Sequence, residues 1–220
     1  MPRPLQTARK GAAKGTARSA VIFVHGYGAD GADLLGLADP LAQHLPHTAF
    51  HAPDAPERCA GNPFGYQWFP IPWLDGSSEE VAREGLARAA EDLDAYIDQV
   101  LTEEGLAPEA LALVGFSQGT MMSLHVAPRR DAPLAAVVGF SGRLLDHANL
   151  AGTTRSRPPV LLIHGDADEM VPVASLSEAA DALVAAEFEV YAHVSKGTGH
   201  GIAPDGLSLA LGFLHEKLPR

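Results

Sequence analysis

Gly115-Phe116-Ser117-Gln118-Gly119 decides the fold. The pentapeptide fits G-x-S-x-G, follows the apolar run Leu111–Val114 and precedes a helical pattern. That strand–turn–helix context is the one in which the motif carries a nucleophile. Swinging a strand sharply into a helix strains the central residue, and small residues two before and two after avoid clashes across the turn. Ser117 would then project its hydroxyl above a sheet at a helix N-terminus, where the dipole favours developing negative charge.

Outward from this elbow, short apolar runs alternate with longer helical patterns. Strands are expected at Ser19–Val24, Thr48–His51, Leu111–Phe116, Leu134–Phe140, Val160–His164 and Phe188–Val194. Several are apolar throughout, as parallel strands buried on both faces must be. Helices are expected over Asp33–His44, Ser78–Glu104, Gln118–Val126 (stopped by Pro128), after Ser175, and over Asp205–Leu218. Ser77-x-x-Glu80 and Ser175-x-x-Glu178 read as capping boxes. Repeated strand–helix units imply a mostly parallel sheet with helices on both faces. No repeat, low-complexity linker or composition shift divides the chain. One α/β domain is expected over residues 19–220, with residues 1–18 as a basic N-terminal arm or edge strand.

Composition narrows the classes further. A chain of 220 residues can bury a core without a metal or disulfide staple. The lone Cys59 excludes a disulfide framework and a Cys-rich zinc module. Apolar runs such as Val160–Ile163 fall far short of the roughly 20 residues that a membrane span needs. The start of the chain has no apolar segment of the secretory type, so a reducing, cytoplasmic location is expected. Net charge is −11, from 16 basic and 27 acidic side chains. Arg3, Arg9, Lys10, Lys14 and Arg18 lie in a start that holds no acid, so the remainder is more acidic still. That argues against a nucleic-acid-binding body.

A serine nucleophile needs a base, and the base needs an orienting acid. In this kind of sheet their chain order is serine, acid, histidine. His164-Gly165-Asp166-Ala167-Asp168 follows a buried strand. Asp168, further into the loop, is the expected acid. Asp166 is the alternative, with tying the turn as its own expected role. His200, in the loop Gly197-Thr198-Gly199-His200-Gly201, can be aimed at Ser117. A metal site from His25, His164, Asp166 and His200 is a rival use, but no H-x-H or H-E-x-x-H spacing supports it.

Gly26-Tyr27-Gly28-Ala29-Asp30-Gly31 admits two readings. It formally fits the dinucleotide fingerprint G-x-G-x-x-G, with Asp54 as the only candidate acid some 20 residues on. It also fits an oxyanion loop, in which the backbone N–H groups of Tyr27 and Gln118 would hold a tetrahedral oxyanion. Only the second also uses the Ser117, Asp168 and His200 segments. The connection Ala52–Asp75 carries five of the fourteen aromatic residues, and long loops in small domains are usually functional.

Together these segments resemble the phospholipase/carboxylesterase family: His25 to Gly31, the Gly115–Gly119 elbow, His164 to Pro172, and Gly199-His200. The family's known members include small bacterial carboxylesterases related to the acyl-protein thioesterases. The resemblance runs over Ser19 to Lys217. It implies a single-domain α/β-hydrolase without a separate cap domain and a Ser117–Asp168–His200 triad. It also implies Tyr27 and Gln118 as oxyanion donors, and neither metal nor cofactor. Tyr27 stands where the family often has leucine, which leaves a backbone role intact. Trp68-Phe69 keeps a pair common in the family but is followed by prolines.

The expected activity is that of a serine carboxylesterase, cleaving short- to medium-chain esters or thioesters through an acyl-enzyme. Trp68, Phe69, Trp73 and Met170 are expected to line the acyl site, since pockets are mainly apolar; ordinary core filling is the other use of those aromatics. The expected partner is a small-molecule ester or thioester, with no nucleic acid and no membrane span; a homodimer is left open. Two rivals remain: a hydrolase-fold binding protein with negligible turnover, and an NAD(P)-dependent reductase using the Gly26–Gly31 loop.

Overall fold

The run Ser19–Val24 is buried at every position, and its alternate side chains enter two separate cores. Ala20, Ile22 and Val24 join one cluster; Val21 and Phe23 join the other. This is the period-two alternation of a strand covered on both faces. The computed structural model describes residues 1–219. In chain order the strands are β1 (Thr7–Gly11), β2 (Ser19–Val24), β3 (Thr48–Pro53), β4 (Glu57–Arg58), β5 (Tyr66–Gln67), β6 (Leu111–Phe116), β7 (Ala136–Phe140), β8 (Val160–Gly165) and β9 (Val190–Ser195). The helices are α1 (Gly31–Leu35), α2 (Ala38–Ala42), α3 (Pro72–Asp75), α4 (Glu79–Glu104), α5 (Gln118–Val126), α6 (Leu150–Thr153), α7 (Ala174–Ala185) and α8 (Pro204–Lys217).

Seven strands form one sheet in the order β1-β3-β2-β6-β7-β8-β9. All neighbours pair in parallel except β1, which runs antiparallel to β3. Side chains of α4, α5 and α7 fill one core, and those of α1, α2 and α8 the other. The result is a single-domain α/β-hydrolase fold. β4 and β5 form a small separate ribbon inside the long aromatic connection.

Three local expectations need correction. The helix expected over Asp33–His44 is two short helices, α1 and α2. Gly36 lies between them, and Pro40 cannot donate to the carbonyl four residues back, which its ring would also crowd. The cap of α4 is Ser78 rather than Ser77, with Ser78 Oγ accepting from the Val81 N–H at 3.2 Å. Ser77 instead donates its own N–H to Asp75 Oδ1. No capping box opens α7: Ser175 is already inside it and buried, and Val173 at its N-cap offers no side-chain bond.

The basic start is tied to acids of the body. Arg3 meets Asp92 and Glu57, and Lys10 meets Asp39. Arg9 on β1 binds buried Glu104, at the end of α4, through two nitrogens at 2.7 and 2.9 Å. The same carboxylate reaches His51 Nε2 on β3 at 3.0 Å. Three elements therefore meet at one carboxylate. No helix among the described residues is long and apolar enough to cross a membrane.

Candidate active site

The elbow is built from close backbone approach. A Cβ on Gly119 would lie 1.7 Å from the carbonyl oxygen of Val24, and one on Gly115 would lie 2.5 Å from the backbone of Gly119. Both positions must be glycine for β6 to turn straight into α5 beside β2. Ser117 sits at the turn with φ 54° and ψ −114°, outside the regions that a residue with a side chain favours. Its N–H donates to the Phe140 carbonyl at 2.8 Å. Neighbouring backbone thus holds the strained residue in place.

Asp168 lies beyond β8, and His200 beyond β9. The two loops are stitched together before either side chain is considered. Ala167 N–H donates to the Thr198 carbonyl at 3.0 Å, and Gly197 N–H donates to Asp166 Oδ1 at 2.6 Å. A Cβ on Gly165 would lie 2.2 Å from the Thr198 carbonyl oxygen, so only glycine lets the loops approach. Across this seam Asp168 Oδ2 accepts from His200 Nδ1 at 2.8 Å. The other oxygen of Asp168 accepts the N–H groups of Met170 and Val171, each at 2.9 Å. Burial favours the protonated acid, but the Val171 N–H, His200 and the Met170 N–H outweigh it and hold the carboxyl below its usual range. With Nδ1 donating to a carboxylate, the neutral imidazole keeps Nε2 as its basic nitrogen. The Phe116 ring packs against that imidazole at 4.9 Å between centroids.

The loop after β2 closes the other side. Gly28 N–H donates to the Tyr66 carbonyl at 2.8 Å, and Asn62 Nδ2 donates to the Gly28 carbonyl at 2.8 Å. Gln118 opens α5, where a backbone N–H has no intrahelical acceptor. Its side chain, fully buried, grips the aromatic connection: Oε1 accepts from the Trp68 N–H at 2.9 Å, and Nε2 donates to the Phe69 carbonyl at 2.7 Å. Trp68 Nε1 donates to the His25 carbonyl at 3.0 Å. His25 in turn accepts the Ala55 N–H on Nε2 and bonds the Gly26 carbonyl through Nδ1. Burial pushes the His25 imidazole pKa down, which fits a neutral ring used as a strut.

Ser117, His200, Tyr27, Trp73, Met121 and Met170 share the lining of a cavity of about 160 Å³. Ser117 and His200 both line it without a hydrogen bond to each other. The sequence profile of the phospholipase/carboxylesterase family matches residues 8–218. The chain belongs to this family. It is, with that membership, a carboxylic ester hydrolase. Acyl-protein thioesterase 1 of Saccharomyces cerevisiae is 30% identical, over 92% of this chain and 94% of its own. The crystal structure of esterase PE8 matches with a TM-score of 0.91 at 42% identity, covering 97% of this chain and 99% of its own. Zea mays acyl-protein thioesterase 2 matches with a TM-score of 0.76 at 25% identity, over 97% and 99%.

Within this phospholipase/carboxylesterase member, the expected acyl-site residues divide. Trp73 and Met170 line the cavity, at 58% and 53% exposure. Trp68 and Phe69 do not. They are core residues at 0% and 7% exposure, because the Gln118 clamp turns that dipeptide inward. Ile71, Leu74 and Met121 reach the lining without having been expected there; an aromatic-rich loop gives no sign of which residue will face in. The dinucleotide reading is also overturned. α1 is only five residues long, and Asp54 Oδ1 accepts from Gly31 N–H at 2.8 Å rather than standing free for a ribose. His25 and His164 are engaged by backbone groups. Among the described residues no group of three or more His, Cys, Asp or Glu is placed to hold a metal ion.

Proposed function

We propose that the chain is a serine carboxylesterase that cleaves short- to medium-chain esters or thioesters through an acyl-enzyme. The observation that carries this reading is the strained Ser117 at the elbow, sharing a cavity with a histidine already held by a buried carboxylate.

In the mechanism, His200 Nε2 takes the Ser117 proton as Oγ attacks the acyl carbonyl. The backbone N–H groups of Tyr27 and Gln118 receive the oxyanion. Neither N–H donates to another backbone carbonyl among the described residues. Asp168, held ionised, keeps the imidazole in its tautomer and stabilises the imidazolium. His200 then protonates the departing alkoxide or thiolate and activates water for deacylation. Trp73 and Met170 bound the acyl group, and the small cavity supports short chains.

The test is labelling with a fluorophosphonate, followed by peptide mapping, beside turnover of p-nitrophenyl and thioester substrates. Label on Ser117, absent from Ser117→Ala, is expected. Turnover that survives in Ser117→Ala would remove the reading.

A further inference from the structure

The turn after β7 carries polar groups that this mechanism leaves unused. Ser141-Gly142-Arg143 packs directly behind the elbow, where a Cβ on Gly142 would lie 2.9 Å from the Ser117 carbonyl oxygen. Ser141 is held at φ 48°, and its buried hydroxyl has no hydrogen-bond partner. Arg143 is half-buried, and its Nε is likewise sealed from water without a partner. Buried donors without acceptors are uncommon and call for an explanation.

Among the described residues Arg143 faces no carboxylate, although acids outnumber bases 27 to 16; Arg58, Arg83, Arg88 and Arg129 also lack one, but of these five only Arg143 has a buried nitrogen without a partner. Its Cζ lies 4.6 Å from the centroid of the Trp73 ring, and Trp73 lines the catalytic cavity. With Nε sealed, the edge carrying the two Nη groups is the one left for a ligand. That edge is a fork matched to a carboxylate. Among the described residues the one acid of the cavity lining, Asp33, belongs to the segment after β2. β2 and β7 flank β6 on opposite sides, so an anion is repelled from one side of the elbow and drawn to the other.

We propose that Arg143 is a specificity-determining residue, and that the preferred substrates are esters or thioesters bearing a carboxylate apart from the scissile carbonyl. The proposal rests on the esterase reading above.

Two matched substrate pairs test it on the full chain. p-Nitrophenyl hemiadipate against p-nitrophenyl hexanoate puts the charge on the acyl side. 4-Carboxyphenyl hexanoate against 4-carbamoylphenyl hexanoate puts it on the leaving group. In at least one pair the parent should favour the anionic member, and 0.5 M salt should narrow the preference. Arg143→Gln should lower kcat/KM for that member by roughly 10- to 100-fold, the scale of a charge-assisted hydrogen bond. The effect should fall mainly on KM, with the neutral member within about threefold. Arg143→Lys should keep part of the preference, and decides the question with the salt titration if the Gln variant unfolds. An equal loss on charged and neutral members, or no charge preference in the parent, would overturn the proposal. Fluorophosphonate labelling of Ser117 separates the two levels: without it the esterase reading fails, while normal labelling without charge discrimination removes only the role of Arg143.

Discussion

The indole N–H of Trp68 donates to the backbone carbonyl of His25 at 3.0 Å, fastening the aromatic connection to the end of β2. Trp68→Phe removes the donor and leaves a buried carbonyl unmet, at a cost of about 1–3 kcal/mol, to which the smaller ring adds a cavity term. Each kcal/mol corresponds to roughly 2–4 °C in a domain of this size. Calorimetry should show that fall in Tm, while the acyl-length profile stays as in the parent. A shifted profile at unchanged Tm would return Trp68 to the acyl wall.

Ser117 carries backbone strain at φ 54°. Strain of this kind costs about 1–3 kcal/mol, and only glycine escapes it. Ser117→Gly should therefore be inactive yet as stable as the parent or more so, despite the roughly 0.5–1 kcal/mol entropic cost of glycine. Ser117→Ala should lose about four to six orders of magnitude in kcat, as triad nucleophiles elsewhere do, without gaining Tm. Equal melting curves for the two variants would deny that the elbow stores strain.

The two acids of the β8 loop make different bonds, one to His200 and one to Gly197. Asp168→Asn should lower kcat by roughly 10⁴, as when an imidazole takes the wrong tautomer. Asp168 is held below its usual range, so it stays charged between pH 5 and 8. The Asn variant should therefore be depressed evenly across that window. Asp166→Asn should retain turnover and lose stability. The opposite ranking in kcat, with both variants folded, would exchange their roles.

Acid should weaken the joint at Glu104. The Arg9 bonds outweigh burial and, with help from His51, hold that carboxyl below its usual range. Burial pushes the His51 imidazole down as well, against the pull of Glu104. Both groups therefore bind protons more readily in the unfolded chain, and stability rises with pH. Their contribution is complete above about pH 6.5, the unfolded histidine value. It is lost as pH falls through the depressed folded values. Thermal melts from pH 7 to 4 should show Tm declining. Glu104→Gln should lose about 1–3 kcal/mol at pH 7, since Arg9 is partly exposed, and should flatten the slope below pH 5. An unchanged slope in that variant would assign the acid sensitivity elsewhere.

Trp73 lines the cavity while more than half exposed. Trp73→Ala should relax acyl-length selectivity across a p-nitrophenyl ester series, with turnover kept. One methylene of mismatch is worth about 1–3 kcal/mol, which bounds the change at each step. A profile that does not move would make the ring a surface residue with no part in selection.

The parallel strands were legible because β2, β6, β7 and β8 are mostly apolar runs, and the elbow because its motif lies within five residues, although Gly119 is demanded by Val24 on another strand. The split between α1 and α2 was written in Gly36 and Pro40 but outweighed by the apolar period around them. Trp68 and Trp73 could not be told apart from sequence. What separates them is the Gln118 clamp fifty residues on, and no local pattern encodes a bond of that range. The stitching of the Asp166 and Thr198 loops was hidden for the same reason. Arg143 carried no motif at all; what marks it is its place over Trp73 and a buried Nε without a partner.

The order of the sheet has a consequence for a chain still being made. From β2 onward the strands β6, β7, β8 and β9 are laid on one growing edge in the order of synthesis. A chain leaving the ribosome can extend its sheet without reopening what has formed. Ser117 and the Asp168 loop belong to strands added before β9, and His200 follows that last strand. A nascent chain halted before β9 would hold Ser117 and Asp168 but not His200. The proposed triad is therefore assembled only after the strand that precedes His200 has joined the sheet.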